Sequence, residues 1–138
     1  MNKTVAEIED EIVESFELFD DQMDKYEHII DLGKKLPPLD EQFKTDEFMV
    51  KGCQSKVWLR ATKQGDRIVF EADSNTAITK GIVALLVSVY TNQTAETILN
   101  TPLTFIDRID LRTHLSSQRS NGLTAMLQKM KAYAAMLA

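Results

Sequence analysis

Cysteine is the scarcest reactive residue in this chain, which has one, Cys53, in 138 residues. One cysteine cannot form an internal disulfide, so the sequence favours a reducing compartment, and we expect a cytoplasmic protein. The five glycines form neither a G-x-G-x-x-G pattern nor a P-loop, which argues against a phosphate-binding glycine loop. One cysteine and two distant histidines, His28 and His114, do not supply a zinc site at any recognised spacing.

Long hydrophobic runs and excess positive charge are also missing. The best apolar run, residues 82–90, is about half as long as a membrane span needs. The acidic, amphipathic N-terminus is typical of neither a secretory signal nor a transit peptide. A net charge of −5 argues against nucleic acid as the main partner, because phosphate binding needs a basic face. We therefore expect one globular domain over residues 1–138, with no membrane or nucleic-acid partner.

The charge that is present is unevenly distributed. Residues 1–31 hold eleven acidic side chains against two basic ones, whereas residues 103–138 hold five basic against two acidic. The simpler interpretation is a pair of solvated helix faces. A protein partner of complementary charge is the alternative.

Apolar residues at spacings of three and four predict two helices in the N-terminal third. Thr4 and Glu7 fit a capping box at the start of the first helix. A second helical stretch covers residues 24–36 and should end at the two prolines that follow. The apolar stripe assigned to the first helix is Val5, Ile8, Ile12, Phe16, Phe19 and Met23.

The period then changes to two. Residues 40–52 have no clear period and predict a loop or a short extended piece. Residues 56–62 and 67–73 alternate apolar and polar side chains, and turn-forming residues separate them. This pattern predicts an antiparallel hairpin.

A helix that is apolar on nearly every face should follow the hairpin, over residues 76–90. Ser74 or Asn75 is the expected cap of this helix. Gly81 weakens a helix interior, so its presence predicts close packing against another element.

The C-terminal third predicts a short helix capped by Thr94 and a final helix that begins near Ser120 or Gly122. The buried side of the final helix is expected to carry Leu123, Met126, Leu127, Met130, Ala134 and Leu137. The predicted fold class is therefore α+β, with a small antiparallel sheet and helices packed on it.

Cys53 is the residue most suited to chemistry. Gly52 allows the backbone to turn, and Gln54 and Ser55 are poor core residues. A lysine within three residues on either side favours the thiolate form. Lone cysteines are often small buried hydrophobes, so a reactive thiol and a packing residue both stay open on these grounds.

Four segments carry a resemblance to a known family. They are "LGKKLPPL", "FMVKGCQSKVWL", "DSNTAITKGIVALL" and "HLSSQRSNGLTAM". In this order, over roughly residues 24–130, they resemble the SufE family of sulfur-acceptor proteins. Asn75 is a departure, since relatives can carry an acidic side chain there.

The resemblance implies a sulfur relay rather than an enzyme. Such proteins bind and stimulate a pyridoxal-phosphate cysteine desulfurase of the SufS or CsdA type and accept its persulfide sulfur. They pass the sulfur to an iron–sulfur cluster scaffold. The matching acceptor is Cys53, the pyridoxal phosphate belongs to the partner, and no cofactor or metal is expected in this chain. The implied fold, helices around a small antiparallel sheet as in SufE and NifU, agrees with the pattern.

Partner contacts are expected close to the thiol. Gly52, Gln54 and Ser55 would shape the loop that enters the desulfurase. A second, weaker group of candidates is formed by Asp73, Ser74 and Arg119.

Two other functions stay open. One is a thiol enzyme of another class that uses Cys53 with His114, which would require hydrogen-bond contact between them. The other is a non-catalytic adaptor whose cysteine is buried.

Overall fold

The fold is α+β, as predicted: a three-stranded antiparallel sheet with strand order β1-β2-β3 packs against helices. The computed structural model describes residues 3–52, 55–111, 115 and 117–138, and the backbone alone for 117–119. The helices are α1 (Val5–Glu17), α2 (Gln22–Lys34), α3 (Ala77–Tyr90), α4 (Ala95–Asn100), α5 (Phe105–Arg108) and α6 (Ser117–Leu137). The strands are β1 (Val57–Gln64), β2 (Arg67–Ser74) and β3 (Gln93–Thr94). Within the described ranges, no helix is both long and apolar enough to cross a bilayer.

The first helix begins as predicted and ends earlier. Thr4 and Glu7 form the capping box. The apolar stripe does not continue to Met23, which belongs to α2 and is 62% exposed. A separate helix begins at Gln22 because the Asp21 side chain caps α2 by accepting the backbone N–H of Met23 at 2.8 Å.

The hairpin is confirmed, and its register follows the alternation. Val57 lies opposite Ser74, and Gln64 lies opposite Arg67, so Gly65 and Asp66 form the turn. Gly65 has φ +64°, a conformation that favours glycine. The buried face of the sheet consists of Val57, Leu59, Ile68, Phe70 and Ala72.

The central helix α3 crosses α2 at very short range. A Cβ added to Gly81 would lie 2.0 Å from the Ile29 carbonyl oxygen, and one added to Gly33 would lie 2.6 Å from the Gly81 nitrogen. The expected close packing of Gly81 is thus confirmed. The expected cap is wrong, because α3 starts at Ala77 and Thr76 occupies the N-cap position.

The C-terminal third agrees with the sequence except at two points. Thr94 caps α4 by accepting the N–H of Thr97 at 3.2 Å. The two-residue strand β3 was not predicted, since two residues show no period. The last helix α6 begins at Ser117, earlier than expected. Its predicted inner side is buried at Leu123, Met126, Met130 and Ala134, and half-buried at Leu127 and Leu137.

Helix α1 makes polar contacts with α5, which follows much later in the sequence. The buried Glu9 carboxylate accepts the backbone N–H groups of Thr104 and Phe105 at 2.6 and 2.7 Å, which satisfies the start of α5. Asp10 forms an ion pair with Arg108 at 3.0 Å. At this contact the acidic and basic parts of the sequence meet inside one molecule.

Candidate functional site

Strand pairing joins the chain on the two sides of residues 51–56, the segment predicted to form the loop that enters the partner. Val50 donates its N–H to the Val57 carbonyl at 2.8 Å, and Leu59 donates to the Phe48 carbonyl at 2.9 Å. Residues 51–56 therefore connect two paired segments at the edge of β1. Cys53 and Gln54 lie outside the described residues.

The residues after Cys53 are held by side chains from the start of α3. The Ser55 hydroxyl lies 2.9 Å from the Thr76 hydroxyl and 3.2 Å from the Thr79 hydroxyl. Lys56 donates its N–H to the Asn75 side-chain oxygen at 3.0 Å, and its carbonyl accepts the Ser74 hydroxyl at 2.9 Å. The chain leaving Cys53 is thereby fixed to the junction of β2 and α3.

These contacts explain why the expected cap of α3 is wrong. Ser74 and Asn75 are good capping residues by type, but their side chains bind Lys56 instead. Thr76 makes no side-chain capping bond within the described part of the chain. Among the residues that the structure describes, no side chain caps the first N–H groups of α3, which form the positive end of the helix dipole.

The residue before Cys53 has a backbone conformation that requires glycine. Gly52 has φ +90°, which L side chains rarely adopt, and it is exposed. A Cβ at this position would lie 3.4 Å from the Ala125 Cβ on α6. The loop thus enters from beside α6 and leaves at the start of α3.

Asp73, one of the weaker candidates for partner contact, lies in β2 opposite Trp58 and is 6% exposed. Lys44 contacts one carboxylate oxygen at 3.1 Å, Lys80 contacts the other at 3.3 Å, and the Ser74 N–H donates to it at 2.8 Å. Burial alone raises the pKa of Asp73, but these three donors outweigh it, so the pKa lies below its usual value of 3.8.

This cluster predicts a pH dependence of stability. Because the pKa of Asp73 is lower in the folded protein, its ion pairs contribute fully above about pH 4 and are lost as pH falls through the folded pKa. Asp73→Asn should lower the melting temperature at pH 7. It should also flatten the decline of the melting temperature below pH 4, in thermal scans from pH 2 to 7. The 81%-exposed side chain of Asp66 provides the control, Asp66→Asn. Parallel curves for wild type and Asp73→Asn would contradict the assignment.

An aromatic and cationic surface that the sequence patterns did not predict lies beside Asp73 on the outer face of β1. The Arg60 guanidinium lies 4.0 Å from the centre of the Phe43 ring, and Phe43 meets Phe48 edge to face at 5.6 Å. Lys44 lies 5.8 Å from the centre of the Trp58 ring. The Trp58 indole N–H is buried, with no hydrogen-bond partner within the described residues. Residues 43–48 show no hydrophobic period, so their contact with β1 was not predictable from the sequence pattern.

The structure describes only some of the remaining predicted residues. Arg119 belongs to the first turn of α6, and its side chain is not among those described. His114 lies outside the described residues, so the contact between Cys53 and His114 stays a prediction. His28 packs against Phe16 and Phe19, and burial lowers its pKa. Residues 3–52, 55–111, 115 and 117–138 contain no cluster of three His, Cys, Asp or Glu side chains that would hold a metal ion.

Comparisons with known proteins agree on one family. A family profile described as "SufE: Fe-S metabolism associated domain" matches residues 10–134. An uncharacterised SufE-like protein of Rhizobium meliloti is 37% identical over 130 residues, which cover 91% of this chain and 93% of that protein. The SufE-like protein 1, chloroplastic/mitochondrial, of Arabidopsis thaliana is 43% identical over 122 residues, which cover 88% of this chain and 33% of that protein.

The fold also has a counterpart among solved structures. The solution structure of a hypothetical protein from Thermus thermophilus matches with a TM-score of 0.77 and 18% identity. The match covers 94% of this chain and 95% of that one. At this identity the likeness concerns the fold alone.

Proposed function

This chain belongs to the SufE family, whose domain is associated with Fe-S metabolism, and on that premise we propose that it is a sulfur acceptor. It takes persulfide sulfur on Cys53 from a pyridoxal-phosphate cysteine desulfurase and stimulates that enzyme. It then passes the sulfur to an iron–sulfur cluster scaffold. The chain itself acts as a relay and not as an enzyme, in the cytoplasm, where a thiol stays reduced. The main support is the family match across a chain with one cysteine.

The transfer step is an exchange between sulfur atoms. The Cys53 thiolate attacks the outer sulfur of the partner's protonated persulfide, and a new bond forms between the Cys53 sulfur and that atom. The sulfur–sulfur bond of the partner breaks, and the partner's cysteine leaves as a thiolate. The transferred sulfur keeps its proton, and because one sulfur–sulfur bond forms as another breaks, the step needs no external oxidant or reductant.

One cysteine suits this chemistry better than two. A second thiol in the same chain would attack the inner sulfur of the new persulfide, form a disulfide and release the transferred sulfur as sulfide. Cys53 has no such neighbour in the sequence. The persulfide therefore persists until a recipient takes the sulfur.

The surroundings of the loop support a thiolate at position 53. Ser55 is bound to the first turn of α3, where the capping side chains are diverted to Lys56. An uncapped helix start favours negative charge, and the loop lysines add positive charge. Both features favour a negatively charged sulfur group placed beside them.

We propose that the partner contacts the loop and the surfaces beside it. Gly52, Gln54 and Ser55 would form the part that enters the desulfurase. Arg119 would contribute from α6, the helix that flanks Gly52. Asp73 and Ser74 are buried, so their contribution is to hold Lys44, Lys80 and Lys56 in place.

Mass spectrometry tests the relay directly. The protein is incubated with a cysteine desulfurase and cysteine, and the peptide that contains Cys53 is analysed without reduction. We expect a gain of one sulfur atom at Cys53, which depends on both the desulfurase and cysteine. If the desulfurase turns over and Cys53 never gains sulfur, the chain is not a sulfur acceptor.

A further inference from the structure

A cavity of about 550 Å³ lies on a part of the molecule that the sulfur relay does not use. It is partly open to solvent and is bordered by α1, the C-terminal end of α2, α3 and the edge of β2. Its volume is within the range of about 300–1,000 Å³ that is usual for small-molecule sites. Its wall is mostly apolar and includes Ile8, Ile12, Phe70, Ala84 and Val87.

The hydroxyl groups in the cavity wall are already engaged. Ser15 and Ser88 each donate to the backbone carbonyl three residues earlier in their own helices, at 2.7 Å. Thr91 accepts the backbone N–H of Phe70 at 2.9 Å. Since these groups are satisfied inside the protein, the wall favours an apolar ligand body.

Of the charged groups in the wall, one cation has no ion pair within the described part of the chain. Glu11 forms an ion pair with Lys3, and Glu71 forms one with Arg60. Lys35 also lines the cavity, is exposed, and has no ion pair with any residue that the structure describes. A ligand that complements this wall therefore has a long apolar body and one negative charge at the end near Lys35.

We propose that this cavity binds an unbranched aliphatic carboxylate, with its hydrocarbon chain between α1 and α3 and its carboxylate at Lys35. The apolar wall supplies affinity through burial of methylene groups, and the lysine fixes which end of the ligand faces solvent. This site is independent of Cys53 and of the sulfur relay.

Calorimetric titration with octanoate and decanoate, below their micelle concentrations, tests the proposal. We expect saturable binding of one ligand per chain, with an affinity that rises about fourfold for each added methylene. Cys53→Ser should bind both ligands like the wild type. Binding that never saturates, or more than one equivalent of ligand per chain, would overturn the proposal.

Two variants that fill the cavity test its location. Ala84→Phe and Ser88→Leu place larger side chains on the α3 wall, and Ser88 is exposed, so its replacement should leave the fold intact. Both should weaken decanoate binding at least tenfold, with circular dichroism as the check on folding. Unchanged affinity in the folded Ser88→Leu protein would place the ligand elsewhere.

A pair of adjacent lysines tests the charge. Lys35→Glu should weaken decanoate binding about fivefold and leave the binding of neutral decanol unchanged. Lys34→Glu makes the same change of charge one residue away, at a side chain that pairs with Asp31, and should leave both ligands unaffected. Equal losses in the two variants, or an equal loss for decanol, would show that Lys35 does not bind the carboxylate.

Discussion

Replacement of Cys53 by serine should abolish persulfide formation on this chain and reduce desulfurase turnover to its unstimulated rate. A serine hydroxyl has almost the size of the thiol, but it does not ionise near neutral pH and cannot carry sulfur as a persulfide. The chain contains no other cysteine to replace it. Turnover of cysteine by the desulfurase, measured with wild-type and Cys53→Ser protein, gives the comparison.

The same variant should keep its fold and its partner. A near-isosteric change at a position flanked by Gly52 and Gln54 in the sequence should alter the free energy of unfolding by no more than about 0.5 kcal/mol. Affinity for the desulfurase should also persist, because the surrounding surface supplies it. Arg119→Ala is the contrasting variant: weaker binding at an unchanged melting temperature is expected if Arg119 contacts the partner. Full stimulation by Cys53→Ser would show that the protein activates the desulfurase allosterically and does not relay sulfur.

The largest loss of stability is expected for Gly81→Ala. The added Cβ would lie 2.0 Å from the Ile29 carbonyl oxygen and 2.6 Å from its carbon, and both are backbone atoms that cannot rotate away. Helices α2 and α3 must separate to admit the methyl group, which disturbs the packing along their whole contact. We expect a loss of about 3 kcal/mol and a melting temperature lower by roughly 10 °C.

Gly65→Ala is the matched control for this substitution. Gly65 has φ +64°, and a Cβ there would meet no atom within 4 Å. The only cost is therefore the left-handed conformation, about 1 kcal/mol. Similar losses in the two variants would show that helix contact does not determine the role of Gly81.

Local sequence patterns predicted the elements whose structure depends on residues close together in the sequence. The hairpin followed from alternation, since a strand with one buried face repeats every two residues. Thr94 was predicted as a cap because its side chain acts within its own turn. The break before Met23 was missed, although Asp21 is a capping residue by type, because the apolar spacing continues across it.

The surroundings of the site were less predictable, because they depend on contacts between distant segments. Cys53 was selected from its motif and its isolation in the sequence, and its role stays a prediction because it lies outside the described residues. Ser74 and Asn75 were predicted as helix caps on local grounds, but Lys56, brought close by the hairpin, binds both side chains. The pairing of Lys44 with Asp73 links a segment without a period to a strand, and no local pattern indicates it.

The hydrogen bonds and the ion pair between α1 and α5 have a consequence for the order of folding during synthesis. Glu9 and Asp10 are made early, but their partners follow 95 to 98 residues later in the sequence. A helix of 13 residues is marginal alone, so α1 should remain undocked until α5 has left the ribosome. Nascent chains arrested before residue 104 should be cleaved by protease within α1, whereas released full-length chains should resist. The first helix to be synthesised would then dock only after α5, which is made more than 80 residues later.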